Sequence, residues 1–184
     1  MKLLSGRIIK PLDNQINTES SLIPKLPFTS YFVAQKGGGK STTLLNMLLS
    51  KDILAGKFNQ IYFISPTASL DEKLNVLKET PGILAINHKL INKLKEKGKI
   101  DIFDKHDEKF EPNYETKIPE ENFISKPSKE LLQDLVQEQK KIIKSYGKAI
   151  ADSILLVFDD CISMKKFWNS EVVQGLVFNS RHVK

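Results

Sequence analysis

Apolar residues along this chain follow two periodicities. Phe28 to Ala34, Gln60 to Ser65 and Ser153 to Phe158 are short β-branched, aromatic or aliphatic runs, the profile of buried strands. Lys40 to Ser50 instead places Leu44, Leu45, Leu48 and Leu49 on one helical face. Further helical patterns cover Leu70 to Lys78 and Leu84 to Lys97, separated by the Pro81-Gly82 turn. Ser128 opens the strongest helix: a capping serine, then Leu131, Leu132, Leu135, Val136, Ile142 and Ile143 on one face, ending near Gly147. Glu171 to Phe178 is a short helix, and Val183 begins an element the chain does not finish. Strands alternating with helices predict an α/β layered domain with a mainly parallel sheet.

Two segments break the alternation. Residues 1–27 are polar and punctuated by Pro11, Pro24 and Pro27, an N-terminal arm with one short strand at Gly6 to Lys10. Residues 98–127 are charged, contain three prolines and lack periodicity, the marks of an irregular insertion or long loop. There is no internal repeat. The 184 residues suffice for one domain with a proper core. At 40% hydrophobic and 27% charged residues, the balance is that of a soluble globular protein. No apolar run is long enough to span a bilayer, and the N-terminus is charged too early for a secretory signal. Cys161 is the only cysteine, so an intramolecular disulfide is impossible and a reducing, intracellular compartment fits. The net charge of +6 suits a nucleic-acid partner and equally a Lys-rich proteome.

The chemistry begins where the first run ends. Ala34-Gln35-Lys36-Gly37-Gly38-Gly39-Lys40-Ser41 matches the phosphate-binding loop G-x-x-x-x-G-K-[ST], the Walker A motif, with Ala in place of the first Gly. Closing successive backbone N–H groups around phosphate oxygens needs glycine where a Cβ would clash or φ turns positive. The helix that follows, through Ser41 and Thr42, aims its N-terminus at the anion. Lys40 is the candidate cation for the β- and γ-phosphates and Ser41 the candidate hydroxyl ligand of Mg2+. The alternative is a glycine-rich turn with a solvated Lys40.

A carboxylate at the end of another strand would complete the site. Ile154-Leu155-Leu156-Val157-Phe158-Asp159-Asp160 supplies it in the Walker B pattern. There Asp159 holds the Mg2+ shell and Asp160 polarises the attacking water. Alone, this run could equally be a buried strand whose acids begin a turn. The Asn-Lys-x-Asp guanine reader of signalling GTPases is missing, since Asn92-Lys93-Leu94-Lys95 lacks the acid. A nucleoside kinase would need arginines to clamp two substrates, and the chain has only Arg7 and Arg181. ATP as the nucleotide and water as the acceptor is the simpler expectation. A small-molecule or nucleotide kinase, and a nucleotide-binding assembly subunit without turnover, stay open.

Four blocks occur in order: Val33 to Ser41, Ile61-Tyr62-Phe63-Ile64-Ser65-Pro66-Thr67, Leu155-Leu156-Val157-Phe158-Asp159-Asp160-Cys161, and Asn179-Ser180-Arg181-His182. Together they resemble the genome-packaging ATPases of large DNA viruses and virophages, the poxvirus-type branch of the FtsK–HerA superfamily. The resemblance spans residues 28–184 and implies a P-loop NTPase three-layer sandwich. It implies a motor that hydrolyses ATP with Mg2+ to drive double-stranded DNA into a capsid. Such a motor works as a homo-oligomeric ring beside capsid or portal components, in the host cytoplasm or virus factory, or with the virion. Arg181 matches a family arginine that a neighbouring subunit would supply to the transferred phosphoryl group. A cation at the C-terminus of the preceding helix is its alternative role. Lys36 could reach the γ-phosphate or a neighbour, or be solvated; His182 reads as structural and Cys161 as core packing. In the family the sheet continues after Arg-His with a strand lying between the loop-bearing strand and the Walker B strand. With the chain ending at Lys184, the expectation is a fragment lacking its C-terminal strands, with a gap in the sheet.

Overall fold

The computed structural model describes residues 28–35, 37–68, 71–97 and 116–179. The N-terminal arm, the Gly6 to Lys10 strand, Lys36, Arg181, His182 and Val183 lie outside the described residues. At the centre of the sheet is Gln60–Ile64 (β1), where Ile61, Phe63 and Ile64 are buried. Phe123–Ile124 (β2) pairs with it on one side and Ile154–Phe158 (β3) on the other, all parallel, in the order β2-β1-β3. Gln60 stands opposite Ile154 and Ile64 opposite Phe158.

Side chains alternate across the sheet and so divide the core. Phe63, Ile61, Val157 and Leu155 join Leu48 of helix Lys40–Leu49 (α1) and Leu77 of helix Asn75–Glu79 (α2). Ile64, Leu156 and Phe158 face the other way, toward Leu132, Phe167 and Val173. Those three come from helices Lys129–Tyr146 (α4), Lys165–Trp168 (α5) and Glu171–Asn179 (α6). Helix His88–Glu96 (α3) completes the set. The result is an α/β fold with a small, all-parallel sheet flanked by helices, and buried parallel strands read as near-continuous apolar runs for this reason.

Helix α4 begins and ends as its sequence demands. Ser128 Oγ accepts from Leu131 N at 3.2 Å, and the chain leaves at Gly147 with φ of 89°. Below the sheet, at the start of β1 and β3, polar side chains interlock. Asp152 accepts from Gln60 Nε2 at 2.7 Å and from Asn87 Nδ2 at 2.8 Å, and its carbonyl accepts from the buried Gln139 amide. Asn59 spans from Ala85 O, at 2.8 Å, to Ser153 N, also at 2.8 Å.

Four expectations need correction. Phe28 to Ala34 forms no strand; it carries no regular structure, with Phe28 touching the α1-side core while Tyr31, Phe32 and Val33 are 66, 40 and 92% exposed. No described strand lies against it: the described sheet holds only β2, β1 and β3, and the free edge of β3 carries no described partner. Of Leu70 to Lys78, Leu70 lies outside the described residues and the rest is two short pieces, a 3₁₀ turn at Glu72–Leu74 followed by α2. Leu84 to Lys97 is helical only from His88, because Leu84 bridges Phe58 and Ala85 N donates to Phe58 O. Within residues 98–127, read as irregular, 98–115 lie outside the described residues, yet β2 falls in the remainder. A strand of two residues is too short to leave a periodic signature.

Candidate nucleotide-binding site

The loop ahead of α1 is shaped by glycine. Gly37 and Gly39 have φ of 78° and 80°, the left-handed region that side chains resist. Gly38 is required for a different reason: a Cβ there would come within 3.0 Å of both Ala34 Cβ and Gln35 O. The Gly38 N–H closes the turn on Gln35 O at 3.0 Å. Gly39 is the residue before α1, and no side chain caps the helix. The leading N–H groups, around Ser41 and Thr42, therefore point out of the helix without a side-chain acceptor, at the positive end of its dipole.

Lys40 turns back over this loop. Its ammonium donates to Ala34 O at 2.9 Å and to Gln35 O at 3.3 Å. Ser41 turns the other way, and its hydroxyl donates to Asp159 Oδ2 at 3.5 Å. The meeting follows from strand alternation. Leu155 and Val157 face the α1 side of the sheet, so Asp159 leaves β3 on that same side. The Asp159 N–H donates to Ile64 O at 3.0 Å, which carries the sheet's bonding past the end of the strands.

The Asp159 carboxyl is pushed up from its ordinary pKa, first by burial and next by the charge of Asp160. The Ser41 hydrogen bond and Lys40 pull it down, and Asp71 adds to the rise. A half-buried carboxylate beside a second acid is short of positive charge, the condition a cation would relieve. Asp160 is exposed and is the one described non-glycine residue with positive φ, at 50°. Cys161 is buried, as expected for core packing, and burial followed by the charge of Asp159 pushes its thiol up to about 11.

Of the candidate loop residues Ala34, Gln35, Gly37, Gly38, Gly39, Lys40, Ser41 and Thr42, Ser41 is the one that meets Asp159, and it does so at the C-terminal end of the sheet, where open parallel sheets bind ligands; Asp160 follows Asp159 there. Lys36 and Arg181 lie outside the described residues. Asp71 escaped the sequence reading. Its N–H donates to Thr67 O at 3.0 Å and its Oδ1 accepts from Lys73 N at 3.0 Å, so it begins a 3₁₀ turn. An Asp two residues before a Lys carries no signal of where the fold will put it.

Among the described residues no group of three or more His, Cys, Asp or Glu could hold a metal ion. The donors at hand suit a different arrangement: one serine hydroxyl and one carboxylate, with the remaining positions left to phosphate and water, as Mg2+ prefers. No helix among the described residues is long and apolar enough to cross a membrane. Scans of family models, curated proteins and solved structures each find no match.

Proposed function

We propose that this chain is a P-loop ATPase of three-layer α/β build that binds ATP with Mg2+ and hydrolyses it. The observation that carries the reading is the approach of Ser41 Oγ to Asp159 Oδ2 at 3.5 Å, directly beside a helix N-terminus with no side-chain cap. A chance glycine turn has no reason to bring its Ser to the carboxylate ending another strand. In the working site, Gly37, Gly38 and Gly39 present backbone N–H groups to the phosphates. Lys40 exchanges the carbonyls of Ala34 and Gln35 for phosphate oxygens. Ser41 and Asp159 would hold Mg2+, which when bound neutralises the phosphates and draws charge from the bond that breaks. Asp160 accepts the proton of the water whose oxygen attacks the γ-phosphorus as the bond to ADP breaks.

The ordered blocks around Ser65-Pro66-Thr67, Asp159-Asp160-Cys161 and Arg181-His182 extend the proposal to a genome-packaging motor of the FtsK–HerA type. Such a motor would act on double-stranded DNA as a homo-oligomeric ring at a viral capsid, with Arg181 reaching a neighbour's phosphates. The net charge of +6 agrees with a polyanionic partner. Phosphate release from Mg-ATP, measured with and without duplex DNA, tests the reading. Stimulation by DNA supports the motor. Phosphate transfer to a nucleoside with little hydrolysis would make it a kinase, and binding without turnover a nucleotide-dependent assembly subunit.

A further inference from the structure

The turn that carries Asp160 is held in an unusual way. Aspartate is among the few non-glycine residues that tolerate the left-handed region, and even so the conformation persists only where the surroundings enforce it. Asp160 sits there at φ of 50°, with its side chain exposed above the end of β3. The residue on its C-terminal side is Cys161, 3% exposed among Ile64, Leu132 and Phe167. The Cys161 Sγ lies 3.2 Å from Ile64 O and 3.4 Å from Asp159 O, so the thiol proton is shared between two carbonyls. Ile64 O also accepts from Asp159 N at 3.0 Å. One carbonyl of the central strand therefore fixes the chain on both sides of Asp160. Beyond it, Met164 N donates to Cys161 O at 2.9 Å and Ser163 Oγ to Asp160 O at 3.4 Å, which closes the 3₁₀ turn Cys161–Ser163.

We infer that Cys161 is a positioning residue for Asp160: its buried thiol, bridging Ile64 O and Asp159 O, sets the left-handed turn that aims the Asp160 carboxylate at the attacking water. The inference rests on the proposed ATPase reading and goes beyond core packing. Packing alone needs only an apolar atom of the right size, whereas the bridge needs a donor. Its scale is modest, because a thiol is a weak donor. Its effect is on geometry, to which proton transfer is sensitive.

The experiment compares Cys161→Ala and Cys161→Ser in the full chain, each also combined with Asp160→Asn. Initial rates of ATP hydrolysis are read together with the affinity of a fluorescent ATP analogue, with Mg2+ and with EDTA. Cys161→Ala is expected to lower kcat about tenfold, as a misplaced proton acceptor would. Nucleotide affinity stays within about twofold in both metal conditions, since no phosphate contact is touched. Cys161→Ser keeps a donor and is expected to recover most of kcat. In the Asp160→Asn background, Cys161→Ala should cost nothing further, because the group it positions is gone. Equal losses of kcat in both backgrounds, or failure of Ser to recover what Ala loses while the chain stays folded, would overturn the inference. If the unsubstituted chain binds Mg-ATP and does not hydrolyse it, the ATPase reading falls first, and this inference with it.

Discussion

The ammonium of Lys40 lies 2.9 Å from the carbonyl oxygen of Ala34, so the loop holds its own cation in place. That contact spans the mouth of the glycine turn and would be exchanged for phosphate oxygens. Lys40→Ala is expected to abolish detectable ATP hydrolysis, a loss of roughly 10²-fold or more, and to weaken Mg-ATP binding strongly. Turnover in phosphate-release assays and affinity for a labelled nucleotide check this. Normal binding and turnover would remove the phosphate-loop assignment.

The two acids separate by what they face. Asp159 meets Ser41, whereas Asp160 points out of the fold on its left-handed turn. Asp160→Asn should keep Mg-ATP binding and lose roughly 10²-fold in kcat, the cost of a general base. Asp159→Asn should also erase the difference between nucleotide affinity in Mg2+ and in EDTA. Small, equal effects from both would reduce the pair to a turn.

Asp159 also predicts a pH dependence. Burial and the charge of Asp160 hold its folded pKa above the unfolded value, so the folded state binds this proton more tightly. Stability from this group is therefore present at low pH and lost as pH rises through the carboxylate range, up to the raised folded value. Without metal, Asp159→Asn should raise Tm at neutral pH, and the gain should shrink toward acid. Thermal melts of both proteins across that range decide it; a gain that grows toward acid would mean the carboxylate is satisfied already.

Tyr31, Phe32 and Val33 give a prediction about the molecule's surface. Three successive large apolar side chains exposed at 66, 40 and 92% form an adhesive edge just before the loop. The chain should self-associate through this edge, and replacing Tyr31 and Val33 by Lys should shift size-exclusion elution toward the monomer. An unsubstituted chain that elutes as a monomer would contradict this.

What the sequence made legible follows the strength of each local signal. Helix α4 was readable because Ser128, its apolar stripe and Gly147 all agree on one element. The meeting of Ser41 and Asp159 was readable because each stands where an apolar-patterned element begins or ends next to a glycine or acid cluster. The state of Phe28 to Ala34 was not, since an apolar run states that it suits a strand and says nothing of whether a partner lies alongside. β2 was hidden because two residues show no period. The turn at Asp160 was hidden because its backbone is set by a contact made between Cys161 and Ile64, far apart in the chain.

The interlock around Asp152 gives the two ends of the sheet opposite mechanical characters. Gln60 of β1, Gln139 of α4 and Asn87 of the loop before α3 anchor one end with short bonds, and a one-residue slip of β3 would break them together. At the other end, the loop of Gly37 and Gly39 meets the end of β3 through one long side-chain contact, Ser41 to Asp159 at 3.5 Å. The strand register is thus locked from one end of the sheet only, and whatever rearranges around Ser41 and Asp159 does so against a frame held at the far end by side chains rather than by the strands alone.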